Sequence, residues 1–178
     1  MKTRLFCFLT ITVTVATFAQ SPDSIQAEAM RKLDRWIGQW EGEAWSSTTP
    51  GRRDTTLMNE TIRKELDGTI IIIEGVGHRK MPNMQEGPIV HHAFAVISFD
   101  MKTKSYRWHA WRVPGGVHTE TIPTITDRHF QWGMETPRGK MKYNGALNDK
   151  GQWQEVGEFS SDGQTWYAFF GMLLDKIH

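Results

Sequence analysis

The sequence predicts an all-β fold, an antiparallel up-and-down β-barrel of about ten strands that follows one short N-terminal helix. Three observations predict it. After Gly38 the chain runs in segments rich in Thr, Ile, Val, Trp, Tyr and Phe, the residues that strands favour. Turn pairs such as Asp67-Gly68 and Asp162-Gly163 separate these segments at a spacing of about one per dozen residues. A flat sheet of this size would expose its edges and one apolar face, so closure into a barrel is favoured.

The elements follow in order along the chain. Residues 21–37 are predicted to form the helix, because Met30, Leu33 and Trp36 share the spacing of one apolar face. We expect this helix to cover one open end of the barrel. Residues 81–88 contain two prolines and no strong periodicity, which predicts a loop or lid at the barrel mouth. The predicted strands span residues 40–49, 55–66, 69–79, 89–99, 105–113, 117–125, 128–135, 139–147, 152–160 and 165–175.

The first residues have the order of a secretory signal peptide. Lys2 and Arg4 form a positive start, an apolar run follows over residues 5–18, and a small-x-small cleavage site ends at Ala19. An uncleaved membrane anchor is the alternative, but the run is shorter than the ~20 residues that a spanning helix needs. We therefore expect cleavage and a secreted or periplasmic location, with no membrane contact afterwards.

Two regions result: residues 1–19 as the signal peptide and residues 20–178 as a single β-barrel domain. Cys7, the one cysteine of the chain, lies in the predicted signal peptide. The mature domain would therefore contain no disulfide, no thiol nucleophile and no cysteine metal ligand.

Composition excludes other classes of protein. The chain has 178 residues, which suits one domain, and 39% of them are hydrophobic, so most of the chain is expected to fold. Lys and Arg number 21 against 20 Asp and Glu. This balance lacks the basic surface of a typical nucleic-acid-binding protein, and we expect no nucleic-acid partner.

Two stretches carry a resemblance to a known superfamily. Residues 36–43, Trp-Ile-Gly-Gln-Trp-Glu-Gly-Glu, place a Gly-x-Trp where the predicted helix meets the first strand. This resembles the opening of the calycin superfamily, in which the Trp, here Trp40, packs across the barrel floor. Residues 157–166, with residues 92–93 and 106–109, resemble a bacterial family of lipocalin-like proteins. The resemblance implies a barrel with a cavity, and it implies no particular activity.

The opening is also similar, more distantly, to the haem-binding barrels called nitrobindins. That resemblance implies a haem iron held by a His late in the chain. Here no His lies between Phe130 and Ile177. A haem would therefore have to recruit His92, His109 or His129 instead.

Carboxylates inside the predicted strands are candidate site residues. Glu60, Glu74 and Glu158 have apolar neighbours two positions away, so they share one cavity if those neighbours point inward. A buried carboxyl needs a partner or a raised pKa, and it can bind a polar ligand or transfer protons. A solvated position and a structural role inside the barrel remain the alternatives. The predicted ligand-binding residues combine these acids with imidazole, guanidinium and aromatic groups: Glu60, Glu74, His92, Arg107, His109, Trp132, Tyr143 and Glu158.

In two pairs of residues, the side chains face opposite sides of the sheet, and the sequence does not show which member of each pair points into the barrel. His91 and His92 are adjacent, so their rings face opposite sides of the sheet and either one is the inner. Trp108 and Trp111 also face opposite sides. One of these two is therefore expected near the surface or at an end of the barrel, where it is a candidate contact for a partner.

The best-supported interpretation is a secreted or periplasmic protein that binds a small, partly apolar ligand inside its barrel. We expect no cofactor and no metal, because the sequence has no His-x-His pair and no helical His-x3-His. One alternative is a cofactor-free isomerase or hydrolase that uses a buried Glu/His pair. The others are a haem or metal carrier and an interaction module that forms a homodimer through an exposed aromatic patch.

Overall fold

A computed structural model of the chain describes residues 22–49, 51–113 and 115–178. The predicted signal peptide, residues 1–19, lies outside the described residues. In the part that is described, no helix is long and apolar enough to cross a membrane. The architecture is all-β, as predicted: one antiparallel sheet of eleven strands curls into an incompletely closed barrel, with one helical segment at its end.

The helical segment covers one end of the barrel. It begins as an α-helix, α1 (Pro22–Met30), and tightens into a 3-10 helix over Arg31–Trp36, whereas one uniform helix was expected. A 3-10 helix has three residues per turn, so residues three positions apart lie in one line. That line is the buried side of the segment and consists of Met30, Leu33 and Trp36.

Hydrogen bonds between distant parts of the chain fix the helix in this position. The Tyr106 hydroxyl donates to the carbonyl of Ala29 at 2.7 Å, and the Gln26 side-chain amide donates to the carbonyl of Phe99 at 2.9 Å. Both hydrogen bonds join the helix to the sheet, at Phe99 and Tyr106. The helix is therefore held over this end of the barrel, which it covers as the sequence predicts.

The strands are β1 (Gly38–Thr49), β2 (Arg52–Glu65), β3 (Ile70–Lys80), β4 (Glu86–Asp100), β5 (Ser105–Val113), β6 (Val117–Thr121), β7 (Thr124–Ile125), β8 (His129–Thr136), β9 (Gly139–Leu147), β10 (Trp153–Ser160) and β11 (Tyr167–Lys176). Their spatial order is β6-β5-β4-β3-β2-β1-β11-β10-β9-β8-β7. Strands that are neighbours in the sequence therefore pair with each other, except β6 and β7, which lie at the two ends of the sheet, and one further pairing joins β1 to β11. This is the up-and-down connectivity that the short turns predict.

Two predicted elements need correction. The single strand expected over 117–125 is divided into β6 and β7, because Pro123 has no N–H to donate to a ladder. The loop expected over 81–88 is shorter, since β4 already begins at Glu86 and the stretch before it contains a 3-10 turn, Pro82–Met84. The β3–β4 hairpin is thus longer than the two prolines suggested, with two register shifts on either side of His78.

Aromatic side chains fill the end of the barrel under the helix. The Trp36 ring lies 4.9 Å from Phe130 and meets Trp153 edge-on at 5.6 Å, measured between ring centroids. Trp40 is 1% exposed, and its indole N–H donates to the carbonyl of Trp36 at 2.8 Å. The enclosed void that remains at this end is about 10 Å³. We call this end the aromatic floor, and an organic ligand has no room there.

The two ends of the sheet meet at a seam between β6 and β8. Among the described residues, β6 pairs with β5 alone, and no backbone ladder connects it to β8. The Thr119 hydroxyl donates to the sulfur of Met134 across this gap at 3.6 Å. A surface groove of about 380 Å³ follows the seam, with Glu120 on one side and Glu135 on the other. Side-chain contacts therefore hold the barrel together here.

Candidate functional site

Above the aromatic floor, polar side chains point into the barrel. Their direction follows from the register: Glu60 pairs with Gly75, Gly75 with Ala93, and Ala93 with Arg112, so these residues share one face of the sheet. Glu60 is buried on that face, which makes it the inward one. We call the region the interior site. Its members are Glu60 on β2, His91 on β4, Arg112 on β5, Trp132 on β8, Tyr143 on β9 and Glu155 on β10.

Glu60 lies deep in the interior site. The residue is 7% exposed, and its carboxylate lies directly over Gly75, in the space that a side chain there would fill. A side chain at residue 75 would therefore displace the end of the Glu60 side chain. No hydrogen bond from another described residue reaches the Glu60 carboxylate, and the polar group that acts on it is Glu155. The fully buried side-chain atoms without a partner in the described residues are Trp36 Nε1 and Trp108 Nε1, so the Glu60 oxygens keep some accessible surface inside the barrel.

Glu155 is the second buried carboxylate. It is 8% exposed, and it accepts a hydrogen bond from the indole N–H of Trp153 at 3.2 Å. Burial raises the pKa of Glu155 to about 7, and the bond from Trp153 acts against this rise. Burial, together with the charge of Glu155, raises the pKa of Glu60 to about 8. At neutral pH the two carboxyls therefore retain at least one proton between them.

Stacked aromatic rings form one wall of the site. Trp132 lies between Trp108 and Tyr143, with centroid distances of 5.4 Å and 4.3 Å and rings within 14° and 10° of parallel. Burial raises the pKa of Tyr143 to about 12; Glu155 adds to this rise and Arg112 opposes it. The Tyr143 hydroxyl is therefore a neutral hydrogen-bond donor, and the charges of Glu155 and Arg112 both act on it.

Arg112 and His91 lie nearer the barrel mouth. Arg112 is exposed although it shares the inward face with Ala93, so the barrel is open to solvent at this level. His91 lies over Gly77 on the same face. Burial, the charge of Arg112 and the neighbouring His92 lower the pKa of His91 to about 4. His91 is therefore neutral at physiological pH and offers one donor and one acceptor.

Of the predicted ligand-binding residues, three lie in the interior site: Glu60, Trp132 and Tyr143. The expectation that Glu74 and Glu158 share its cavity is not met, because both face outward. The apolar neighbours used for that inference, such as Val76 and Val156, lie on the outer face as well. Each outward residue contacts a titratable neighbour: Glu74 with Arg63 and His92, Glu158 with Lys142, Arg107 with Asp100, and His109 with Glu120.

Three members of the interior site were not among the predicted residues. Glu155 could have been found from the alternation Trp153–Glu155, because a buried Trp two positions away marks the inward face. His91 was left undecided against His92, and the pairing of His91 with Gly77 shows that it is the inner one. Arg112 carried no local signal, since its direction depends on the register across several strands.

The histidines do not form a haem or metal site of the expected kind. His92, His109 and His129 occupy outward positions, each next to an inward residue of its strand, so they do not fit a haem held inside the barrel. Among the described residues, no three His, Cys, Asp or Glu side chains are close enough to hold a metal ion. The interior chemistry of this barrel therefore rests on carboxyl, guanidinium, phenol and indole groups and on the imidazole of His91.

Trp108 and Trp111 separate as the alternation predicts. Trp108 is 5% exposed in the interior, whereas Trp111 is 44% exposed on the outer face. There its ring lies 5.1 Å from that of His118 and nearly parallel to it. This outer position suits a partner contact, and the homodimer stays a prediction.

The comparisons with known proteins concern the fold. No protein-family model and no curated protein matches the sequence significantly. The crystal structure of Rv2717c from M. tuberculosis aligns with 90% of this chain and 100% of its own, with a TM-score of 0.61 and 10% identity. The S-type phycobiliprotein lyase CPES from Guillardia theta aligns with 89% of this chain and 100% of its own, with a TM-score of 0.51 and 12% identity.

Together the topology and these neighbours define the class of the protein as an all-β, lipocalin-like barrel. The expected resemblance to lipocalin-like proteins is thus supported at the level of the fold. The more distant resemblance to nitrobindins stays a prediction. Inside this barrel Glu60 and Glu155 are both buried, and the charge of Glu155 acts on Glu60.

Proposed function

We propose that this protein binds a small, partly apolar molecule in the open half of its barrel, in the periplasm or outside the cell. The observation that carries the proposal is the buried Glu60 carboxylate, which has no hydrogen-bond donor among the described residues. A ligand with a polar group at this depth would satisfy it. The stacked rings of Trp132 and Tyr143 supply the flat apolar contact area that small-molecule sites use.

The proposed location rests on the N-terminal sequence. Lys2, Arg4 and the apolar run after them have the order of a signal peptide. Mass spectrometry of the protein from the producing cells tests this directly. Loss of residues 1–19 from the exported chain supports the location, and an intact cytosolic chain contradicts it.

Glu155→Gln is expected to weaken ligand binding by about 10- to 100-fold, because a hydrogen bond to a charged group contributes about 1.5–3 kcal/mol. The ligand is first detected as added mass on the purified protein by native mass spectrometry. It is then extracted and rebound, and the affinity is measured by quenching of tryptophan fluorescence. Gln has nearly the size of Glu, so the aromatic wall stays intact.

Glu158→Gln is the matched control for this prediction. Glu158 lies on the same strand but faces outward, 3.2 Å from the Lys142 ammonium. Its replacement is expected to leave the affinity unchanged. Equal losses in the two variants, or a purified protein of bare chain mass that binds nothing, would contradict the proposed site.

A cofactor-free isomerase or hydrolase is the second candidate function. It is favoured by one observation, that the Glu155 and Glu60 carboxyls have pKa values of about 7 and about 8, near the pH at which acid–base catalysts operate. His91, the histidine of the interior site, lies nearer the barrel mouth with Arg112. Glu155→Gln separates the two functions: an enzyme loses turnover by about 100-fold or more while still binding, whereas a binding protein loses affinity.

A further inference from the structure

We infer that a second copy of this chain packs against the outer face of β3–β6, so that two barrels meet around a two-fold axis parallel to the strands. This inference goes beyond the proposed function and does not depend on it, since the face lies outside the barrel. We call the face the outer patch. Its apolar centre consists of Ile72 on β3, Phe94 and Val96 on β4, and Trp111 and Val113 on β5.

The centre of the outer patch is apolar, although the solvated face of an antiparallel sheet is usually polar. Trp111 is 44% exposed and Val113 is 55% exposed. Measured between ring centroids, Trp111 lies 6.2 Å from Phe94 on one neighbouring strand and 5.1 Å from His118 on the other. These rings therefore form one surface across three strands. An exposed apolar surface that contains aromatic rings and has a polar margin is typical of a protein–protein interface.

Two rows of paired residues cross the outer patch from β2 to β6. The first row is Arg63, Ile72, Val96, His109 and Glu120, and the second is Thr61, Glu74, Phe94, Trp111 and His118. In the first row a guanidinium lies on the β2 side of the apolar centre and a carboxylate on the β6 side. In the second row the order is reversed, because the carboxylate of Glu74 lies toward β2 and the imidazole of His118 lies on β6.

This arrangement makes the outer patch complementary to itself. A two-fold axis between β4 and β5, parallel to the strands, keeps each row at its level and exchanges its two sides. Phe94 then faces the partner's Trp111, and Glu74 faces the partner's His118. Arg63 comes within one strand spacing of the partner's Glu120. Each of these contacts occurs twice, as in an isologous interface.

The packing of the two sheets is consistent with this axis. Because the axis is parallel to the strands, the strands of the two copies run in the same direction, and packed sheets are commonly aligned to within about 30°. A different protein would need its own matching pattern of acids and bases, whereas a second copy has that pattern already. Since the outer face of a curled sheet is convex, the contact is small. We therefore expect a dissociation constant in the micromolar range.

Sedimentation velocity of the mature chain, across the micromolar range of concentration, tests the inference. The wild type is expected to change from monomer to dimer as its concentration rises. Trp111→Glu should weaken dimerisation by at least about 10-fold, because it places a charge in the apolar centre. His118→Glu should have a similar effect, because the new carboxylate faces the partner's Glu74 and like charges at an interface repel each other.

A second substitution distinguishes the two-fold contact from a local effect. The double variant Glu74→Lys/His118→Glu restores opposite charges across the interface and should recover most of the lost affinity. Glu74 and His118 of one chain are three strand spacings apart, about 14 Å. The recovery therefore has to come from contact between two copies.

Tyr167→Glu is the matched control for Trp111→Glu, because Tyr167 is an aromatic residue that is 66% exposed on β11, outside the outer patch. This variant should dimerise like the wild type. Circular dichroism shows whether each variant is folded. If Trp111→Glu does not fold, His118→Glu and its recovery by Glu74→Lys provide the test.

Three results would overturn the inference: a wild type that is monomeric at every concentration, a folded Trp111→Glu that dimerises like the wild type, or no recovery in the double variant. A monomeric wild type would mean that a different protein covers the outer patch. None of these results concerns the interior site, so the proposed function is tested separately.

Discussion

Trp36→Ala is expected to lower the free energy of unfolding by about 3–5 kcal/mol, the usual cost of truncating a fully buried Trp. Trp36 is 1% exposed and joins the helical segment to the barrel through its contacts with Phe130 and Trp153. The substitution opens a cavity in the aromatic floor, and the rigid rings around it leave little room for collapse. Urea unfolding followed by circular dichroism gives the change.

Trp111→Ala is the control for this first prediction, because it removes the same side chain from a position that is 44% exposed. Surface substitutions usually change stability by less than about 0.5 kcal/mol, and the partial burial of Trp111 adds a modest amount. A loss at Trp111 as large as that at Trp36 would mean that the aromatic floor is not the principal core.

The second large effect is on pH dependence: the free energy of unfolding is expected to fall by about 2–3 kcal/mol between pH 6.5 and pH 8. Burial raises the pKa of Glu60 to about 8 and that of Glu155 to about 7, above the usual carboxyl value of 4.5. The folded state therefore holds protons that the unfolded state has released. The stability that these protons provide is fully present below about pH 4.5 and is lost as the pH rises through the folded pKa values.

The other interior groups titrate outside this window. The pKa of His91 is lowered to about 4, so His91 decreases stability on the acid side instead, as the pH falls from 6.5 toward 4. Tyr143 has a pKa of about 12. Chemical unfolding at several pH values measures the curve. The variant Glu60→Gln/Glu155→Gln should flatten it between pH 6.5 and pH 8, and an unchanged slope in that variant would falsify the assignment.

The architecture could be predicted from the sequence because two local signals recur through the chain. Runs of strand-favouring residues alternate with turn pairs such as Asp162-Gly163, whose carboxylate accepts hydrogen bonds from Ser160 and from the following backbone. The error at 117–125 has a local cause as well. Pro123 interrupts a run that otherwise has the composition of a strand.

The interior site was harder to predict, because alternation gives two faces and does not say which one is inside. Glu60 lies between Met58 and Ile62, both buried, so its apolar neighbours indicated the correct face. Glu74 has equally apolar neighbours, yet they lie on the outer surface. Pairings between strands, such as Gly75 with Ala93, decide which face of a strand points inward, and no local sequence pattern contains these pairings.

The seam between β6 and β8 has a consequence for what the barrel can hold. In a closed barrel the number and stagger of the strands determine the diameter. Here the last contact is between side chains, such as Thr119 and Met134, so the two edges can separate or slide without breaking a backbone ladder. The width of the barrel interior is therefore not fixed by strand pairing at the seam. On the proposed function, this open seam would let the interior site accept molecules of different width.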